Sequence, residues 1–140
     1  MALTDFSPSG NIVHVNGREI TGWGESDPPY TDAPIDPKNA MKRGTNKNAI
    51  KTKRDNPGRT ITINVMPGTS DASFLQGLFN SGATVSLTRV QIGTLEKSIG
   101  TEGVITNDGT VGRGGQAPNI SDDQFTIEFN LWNATKGGNE

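Results

Sequence analysis

Few residues in this sequence have the types and spacing that catalysis or metal binding requires. His14 is the only histidine among the 140 residues, and the chain contains no cysteine. A Ser-His triad needs a histidine beside a nucleophile, and a zinc site usually needs several histidine or cysteine ligands. A lone histidine in a predicted strand is usually structural. We therefore expect no catalytic residue, no metal site and no cofactor.

Paired carboxylates and a glycine-rich segment are the other candidates for chemistry. Asp122-Asp123 lies in one predicted loop, and the Glu25/Asp27 pair lies in another. Neither loop fixes the separation that a glycosidase needs between its two acids. The segment 112–115, GRGG, resembles a phosphate-binding loop only in composition, because it lacks the Walker lysine and the strand-to-helix context. We interpret the chain as non-enzymatic.

Charges are arranged in two consecutive blocks, although the net charge is only -2. The segment 24–37 carries four carboxylates and no cation. The segment 38–54 carries seven cations and no acid, namely Lys38, Lys42, Arg43, Lys47, Lys51, Lys53 and Arg54. This basic segment has almost no apolar periodicity, so it cannot form a core by itself, and it lacks aromatic residues for base stacking. Three interpretations remain open: binding to nucleic-acid phosphates, contact with the acidic block of a neighbouring copy, or a solvated loop.

The clearest change of hydrophobic period predicts a strand followed by a helix. Apolar and polar residues alternate over 60–65, as in a strand with one buried face. A helix is predicted at about 70–81, where the apolar stripe consists of Phe74, Leu75, Leu78 and Phe79. Thr69 or Ser70 can cap its start, and Gly82 can supply a left-handed cap at its end. We expect this amphipathic helix to lie on a β-sheet.

Two segments before that strand predict a hairpin and a loop. The segment 11–23, NIVHVNGREITGW, contains Asn16-Gly17, which suits the type I′ turn of a β-hairpin. We expect Trp23 at the end of its second strand to pack against the sheet. The segment 24–37 contains four prolines, which exclude a central strand or a helix interior. We predict an extended surface loop there.

Further strands are predicted after the helix. In the segment 83–92 the alternation changes phase, which predicts a bulge or a second buried face near Thr88 and Arg89. The segment 104–106 predicts a short strand, and the glycine-rich segment 109–123 predicts a loop.

The segment 124–132, QFTIEFNLW, is the clearest strand of the sequence. Its apolar face is predicted to consist of Phe125, Ile127, Phe129 and Leu131. Its other face is predicted to consist of Thr126, Glu128, Asn130 and Trp132.

The composition indicates a thin core with many turns. Hydrophobic residues make up 31% of the chain, aromatic residues 6%, and glycines number 18. Such a chain often gains stability by burying surface against copies of itself. We expect one domain over residues 1–140, with a polar and basic excursion at about 38–58. No run reaches the length of a transmembrane helix and the start lacks a signal-peptide pattern, so we expect a soluble protein made in the cytoplasm, without a membrane anchor.

The order of these segments resembles that of the tail tube proteins of contractile-tailed bacteriophages. The resemblance rests on ITGWGESDPP in the hairpin region, the polar excursion, RTITINVMPGTSDASFLQGLF and the closing QFTIEFNLW. It implies a mainly β fold, an antiparallel β-sandwich or barrel-like subunit with one short flanking α-helix at about 70–81. It also implies hexameric rings that stack into the inner tube of a contractile phage tail, the conduit for genome delivery from the virion.

The same resemblance implies partners and site residues. The partners are other copies of the chain, the tail sheath, baseplate and tail terminator proteins, and phage DNA passing through the lumen. The expected contacts with the next subunit or ring are Lys42, Arg43, Lys47, Lys51 and Arg54. The expected lumen-facing residues are Thr60, Thr62, Asn64, Thr126, Glu128 and Asn130, because a wall with few cations lets DNA slide. The alternative hypothesis is a small β-barrel nucleic-acid-binding module that uses the basic segment 38–54.

Overall fold

Strands form most of the structure. The computed structural model describes residues 10–114 and 120–137, and within them it contains nine strands and one helix. In chain order these are β1 (Asn11–Val15), β2 (Arg18–Glu19), β3 (Tyr30–Pro34), β4 (Asn39–Arg43), β5 (Ala49–Lys53), β6 (Arg59–Val65), α1 (Ser70–Ser81), β7 (Val85–Gln91), β8 (Glu96–Asp108) and β9 (Asp123–Thr135).

Seven of these strands form one antiparallel sheet in the order β2-β1-β7-β8-β9-β6-β3. The sheet is folded over so that its ends approach each other. Trp23, just after β2, forms an isolated bridge with Val65 at the end of β6. The carbonyl of Gly22 also accepts a hydrogen bond from the N–H of Met66, at 2.8 Å. The predicted fold class, a mainly β antiparallel sandwich with one short helix, is confirmed.

The core lies between the faces of this folded sheet and under α1. Its buried apolar side chains come mainly from β1, β6, β7, β8 and β9, and α1 adds Ala72 and Leu75. Trp23 packs against the same core, as predicted from its place at the end of the hairpin. Burial of these side chains is the main contribution that stabilises the sheet.

Local signals set the ends of α1 and of the first hairpin. The hydroxyl of Thr69 accepts a hydrogen bond from the N–H of Ala72, and Gly82 ends the helix with φ 67°. Both caps were predicted, because a side-chain oxygen satisfies a free N–H at the start and glycine adopts the left-handed conformation at the end. Asn16 and Gly17 have φ 51° and 83°, as the predicted turn between β1 and β2 requires.

The segment predicted as a surface loop, 24–37, is partly a strand. Tyr30–Pro34 forms β3 and pairs with β6 from Tyr30↔Ile63 to Pro34↔Arg59. The prolines excluded a central strand, but β3 is the edge strand of the sheet. An edge strand has no neighbour on its outer side, so the N–H that proline lacks is not needed for a hydrogen bond there. The loop prediction was therefore wrong for these five residues.

The basic excursion is an antiparallel hairpin rather than a loop. Among the described residues, strands β4 and β5 pair only with each other, from Asn39↔Lys53 to Arg43↔Ala49. Sequence periodicity missed them because all ten strand residues are exposed, so no apolar face marks either strand.

The phase change predicted in β7 lies in its neighbours. One face of β7 carries Val85, Leu87, Arg89 and Gln91. Arg89 on this face points inward, and its guanidinium pairs with Glu96. In β8, by contrast, both Gly100 and Gly103 are buried, three residues apart, and the register with β7 shifts between Val85 and Leu87. The prediction was a bulge or a second buried face near Thr88 and Arg89. The extra residue lies instead in β8, opposite Val85 and Leu87, and the pairing of β7 with β8 is regular at Thr88 and Arg89.

The strand β9 shares this phase change. Trp132, predicted on the polar face, packs against the core with its ring centroid 5.7 Å from that of Phe129. Leu131, predicted on the apolar face, is 36% exposed. The predicted alternation holds from Phe125 to Asn130 and fails at these two residues. In addition, β8 runs over 13 residues where only 104–106 was predicted as a strand.

Candidate functional site

The most unusual surface of the chain is the hairpin formed by β4 and β5. Its two large apolar side chains, Met41 and Ile50, are 62% and 61% exposed. A two-stranded hairpin without a packed face is marginally stable in water. The hairpin therefore offers a surface that a partner could cover.

The two faces of this hairpin differ in charge. Residues directly opposite each other in a ladder share a face, so Met41 lies beside Lys51 and Arg43 beside Ala49. The opposite face carries the pair Lys42↔Ile50. The face with Met41 consists of Asn39, Met41, Arg43, Ala49, Lys51 and Lys53.

The five predicted contact residues are thus divided by the structure. Arg43 and Lys51 share one face of the hairpin, and Lys42 lies on the other. Lys47 stands in the turn with φ 67°. Arg54 lies at the base, 3.9 Å from the Asp36 carboxylate of its own chain. Their contact with a neighbouring subunit stays a prediction.

The six predicted lumen residues are brought together on β6 and β9. Thr60 is directly opposite Glu128, and Thr62 is directly opposite Thr126. We call the face that carries these four residues and Asn130 the polar face. Asn64 continues the same row on β6, but it is buried and its side-chain amide donates to the Pro29 carbonyl at 3.3 Å. Whether this row lines a lumen stays a prediction.

A shallow hollow of about 320 Å³ lies where the base of the hairpin meets the polar face. Ile35, Glu102 and Glu128 line it, together with residues 56–58 and Asn130. The Asn130 amide donates to the Glu102 carboxylate at 2.9 Å. Sequence analysis missed Glu102, which has φ 56° and lies between the buried Gly100 and Gly103. The two glycines three residues apart were the available signal of an irregular strand.

Asp122 and Asp123 hold loops in place rather than forming an acid–base pair. Both the N–H and the hydroxyl of Ser26 donate to Asp122 at 2.8 Å. Burial raises the pKa of the Asp122 carboxyl, but these bonds and the N–H of Glu25 outweigh it, so the pKa lies below its ordinary value. Asp123 forms a separate ion pair with Arg113 at 2.8 Å. The two acids therefore do not act as a pair.

Among residues 10–114 and 120–137, no three His, Asp or Glu side chains form a group that could hold a metal ion. In that part of the chain, no helix combines the length and the apolar character needed to span a membrane. Gly115, in the glycine-rich segment, lies outside the described residues.

The fold is similar to that of several solved structures. A chain of an extracellular contractile injection system, the PVC sheath-tube complex in the extended state, matches with a TM-score of 0.61 and 16% identity, covering 94% of this chain and 92% of that one. The anti-feeding prophage cap, a tube terminating cap, matches with a TM-score of 0.61 and 13% identity over 98% and 95% of the two chains. This chain has the fold of contractile-tail tube proteins. The PVC sheath/tube terminator in the extended state shares that tube fold, with a TM-score of 0.60 and 15% identity over 96% and 99%.

Sequence comparison adds no closer relative. No family model matches the sequence, and no curated protein matches it. At 13–16% identity the structural matches establish the tube fold over nearly the whole chain.

Proposed function

We propose that this chain is a structural, non-enzymatic subunit of the inner tube of a contractile phage tail or a related contractile injection system. The observation that carries the proposal is the match of the tube fold over 94% of this chain and 92% of a chain from a sheath-tube complex. A match over nearly the whole of both chains supports a structural role. The proposed partners are other copies of the chain, sheath, baseplate and terminator proteins.

Copies of the chain assemble, in this proposal, into hexameric rings that stack into a tube within the virion. The hairpin supports self-assembly because all ten of its strand residues are exposed and it is rich in cations, while exposed carboxylates such as Glu102 and Glu128 lie elsewhere on the chain. A subunit that carries both charges can repeat the same head-to-tail contact. Joining subunits also covers open sheet edges such as β3, which otherwise invite aggregation.

The polar face is proposed to line the lumen of that tube. Thr60, Thr62, Thr126, Glu128 and Asn130 place hydroxyls, an amide and one carboxylate there, with no cation in the row. Phosphates bind to proteins mainly through lysine and arginine. A wall of this composition would let the genome pass without holding it.

Nucleic-acid binding remains a second candidate because of one observation. The hairpin is a two-stranded ribbon with cations on both faces, and β-ribbons can enter the grooves of DNA. Its affinity would come almost entirely from phosphate contacts, since the ribbon carries no aromatic residue.

Negative-stain electron microscopy of the purified protein, over a range of protein and salt concentrations, tests the proposal. We expect rings or hollow rods with a uniform central channel in the absence of DNA. DNA-binding assays on the same preparation separate the two candidates. Monomers that bind DNA with an affinity that falls steeply with salt would support nucleic-acid binding by the hairpin and contradict assembly into a tube.

A further inference from the structure

Two surfaces at opposite ends of the hairpin have complementary chemistry. The first is the tip surface, formed by Met41, Arg43 and Lys47 around a shallow hollow of about 390 Å³. It combines two cations with one apolar side chain that is 62% exposed. The ring of residues is completed by small or neutral groups, so no acid of the hairpin neutralises these cations.

The second is the base surface, the hollow lined by Ile35, Glu102 and Glu128. It combines two exposed carboxylates with an apolar side chain that is 43% exposed. Asp36 also lines this hollow, but Arg54 of the same chain already lies 3.9 Å from its carboxylate. The hollow therefore matches the tip surface in both charge and apolar content.

A single copy cannot join these two surfaces. Each strand of the hairpin has five residues, and a strand rises about 3.4 Å per residue, so the tip lies about 17 Å from the base. That distance exceeds the length of any side chain. The contact must be made between two copies, with the tip of one on the base of the next.

We infer that the tip surface of one copy docks on the base surface of a second copy of this chain. Arg43 and Lys47 meet Glu102 and Glu128, while Met41 packs beside Ile35. The contact is head-to-tail, so every added copy leaves one free tip and one free base, and the assembly closes into a ring or continues. The inference rests on the proposed function, which supplies self-assembly, and it names the surfaces that perform it. Because Glu128 belongs to both surfaces, the contact lies at the border of the polar face.

Charge reversal on each surface tests this pairing. The tip variant is R43E/K47E, and the base variant is E102K/E128K. The control is K97E/K136E, which changes the net charge of the chain by the same amount but alters exposed lysines in β8 and just after β9, outside both surfaces. Sedimentation velocity and negative-stain microscopy measure assembly of the full chain, and circular dichroism checks that each variant is folded.

The expected result is reciprocal. Each reversed variant alone requires at least a tenfold higher concentration than wild type for half-assembly, because its tip and base then carry the same sign. An equimolar mixture of the two variants assembles near the wild-type concentration, because each tip meets a base of opposite sign. The control assembles like wild type.

Two outcomes overturn the inference in different ways. If wild type assembles but the tip variant assembles equally well, or the mixture fails to recover assembly, the tip and base surfaces are not partners and the tube proposal stands. If wild type stays monomeric at every concentration and salt, both the pairing and self-assembly are wrong.

Discussion

The guanidinium of Arg89 lies over the ring of Tyr30, 5.5 Å from its centroid, and this contact joins β7 to the edge strand β3 across the interior of the folded sheet. Arg89 also forms an ion pair with Glu96, and the Tyr30 hydroxyl donates to Asp32 at 3.0 Å. Asp32 in turn pairs with Arg59. Two cations and two carboxylates therefore balance each other inside the sheet, next to the strand that leads into the hairpin.

Removing the Arg89 cation should cost far more stability than removing the Tyr30 hydroxyl. R89M leaves the Glu96 carboxylate, whose side chain is 16% exposed, without its partner, and we expect a loss of about 3 kcal/mol. Y30F keeps the ring under Arg89 and loses one hydrogen bond, so we expect about 1 kcal/mol. Urea unfolding followed by tryptophan fluorescence measures both. Equal losses would mean that the ion pair contributes no more than the hydroxyl.

Asp71 should make the stability of the protein depend on pH. Its carboxylate accepts the N–H groups of Thr21 and Gly22 at 3.0 and 2.8 Å and pairs with Arg18. Burial raises the pKa of Asp71. The hydrogen bonds from Gly22 and Thr21 and the Arg18 guanidinium lower it by more than burial raises it, so the pKa lies below its ordinary value. The folded chain thus holds this carboxylate ionised to lower pH than the unfolded chain does.

The contribution of Asp71 is fully present above the unfolded pKa of about 4 and is lost as pH falls through the folded pKa. D71N should therefore lose about 2 kcal/mol at pH 7, because an amide oxygen accepts the two backbone N–H groups without the negative charge that strengthens these bonds. The lost Arg18 ion pair adds little, because Arg18 is 41% exposed and its charge is screened. Its unfolding free energy should also change less between pH 5 and pH 3 than that of wild type. The exposed Asp55→Asn is the matched control, and a D71N curve parallel to wild type would contradict this assignment.

Two glycines should respond to alanine in opposite directions. A Cβ at Gly100 would lie 2.7 Å from Cε3 of Trp132, within a packed core, so G100A should destabilise by about 1–3 kcal/mol. Gly77 lies inside α1 and has nothing within 4 Å of its Cβ position, so G77A should stabilise by about 1 kcal/mol through helix propensity. Thermal unfolding of both variants measures the difference. Stabilisation by G100A would show that Trp132 does not pack there.

Much of this fold could be predicted where local rules and burial agree. The helix at 70–81, the Asn16-Gly17 turn and the anchor Trp23 follow from capping, turn geometry and apolar content. The hairpin of β4 and β5 could not be found, because strands exposed on both faces have no period-two pattern. The inward position of Arg89 could not be predicted either, because an inward cation is expected only when its partner, here Glu96, is known.

Of the candidate surfaces, the polar face could be predicted from local alternation, whereas the base surface could not. Alternation along β6 and β9 was sufficient to group Thr60, Thr62, Thr126 and Glu128 on one face. The base surface combines Ile35 with Glu102, which are 67 residues apart in sequence, counted as 102 minus 35. Only the order of strands in the sheet brings them together. Tertiary pairing of this kind leaves no local signal in a single sequence.

The phase change in β9 predicts different roles for two adjacent residues. Trp132 packs against Phe129 and the core, so W132A should destabilise by about 3 kcal/mol through lost burial and the cavity left behind. Leu131 is 36% exposed, and L131A should cost about 1 kcal/mol. Strict alternation from Phe125 would give the reverse order, with Leu131 in the core. Urea unfolding of both variants, followed by far-UV circular dichroism, therefore decides between a change of buried face at Leu131 and Trp132 and strict alternation along β9.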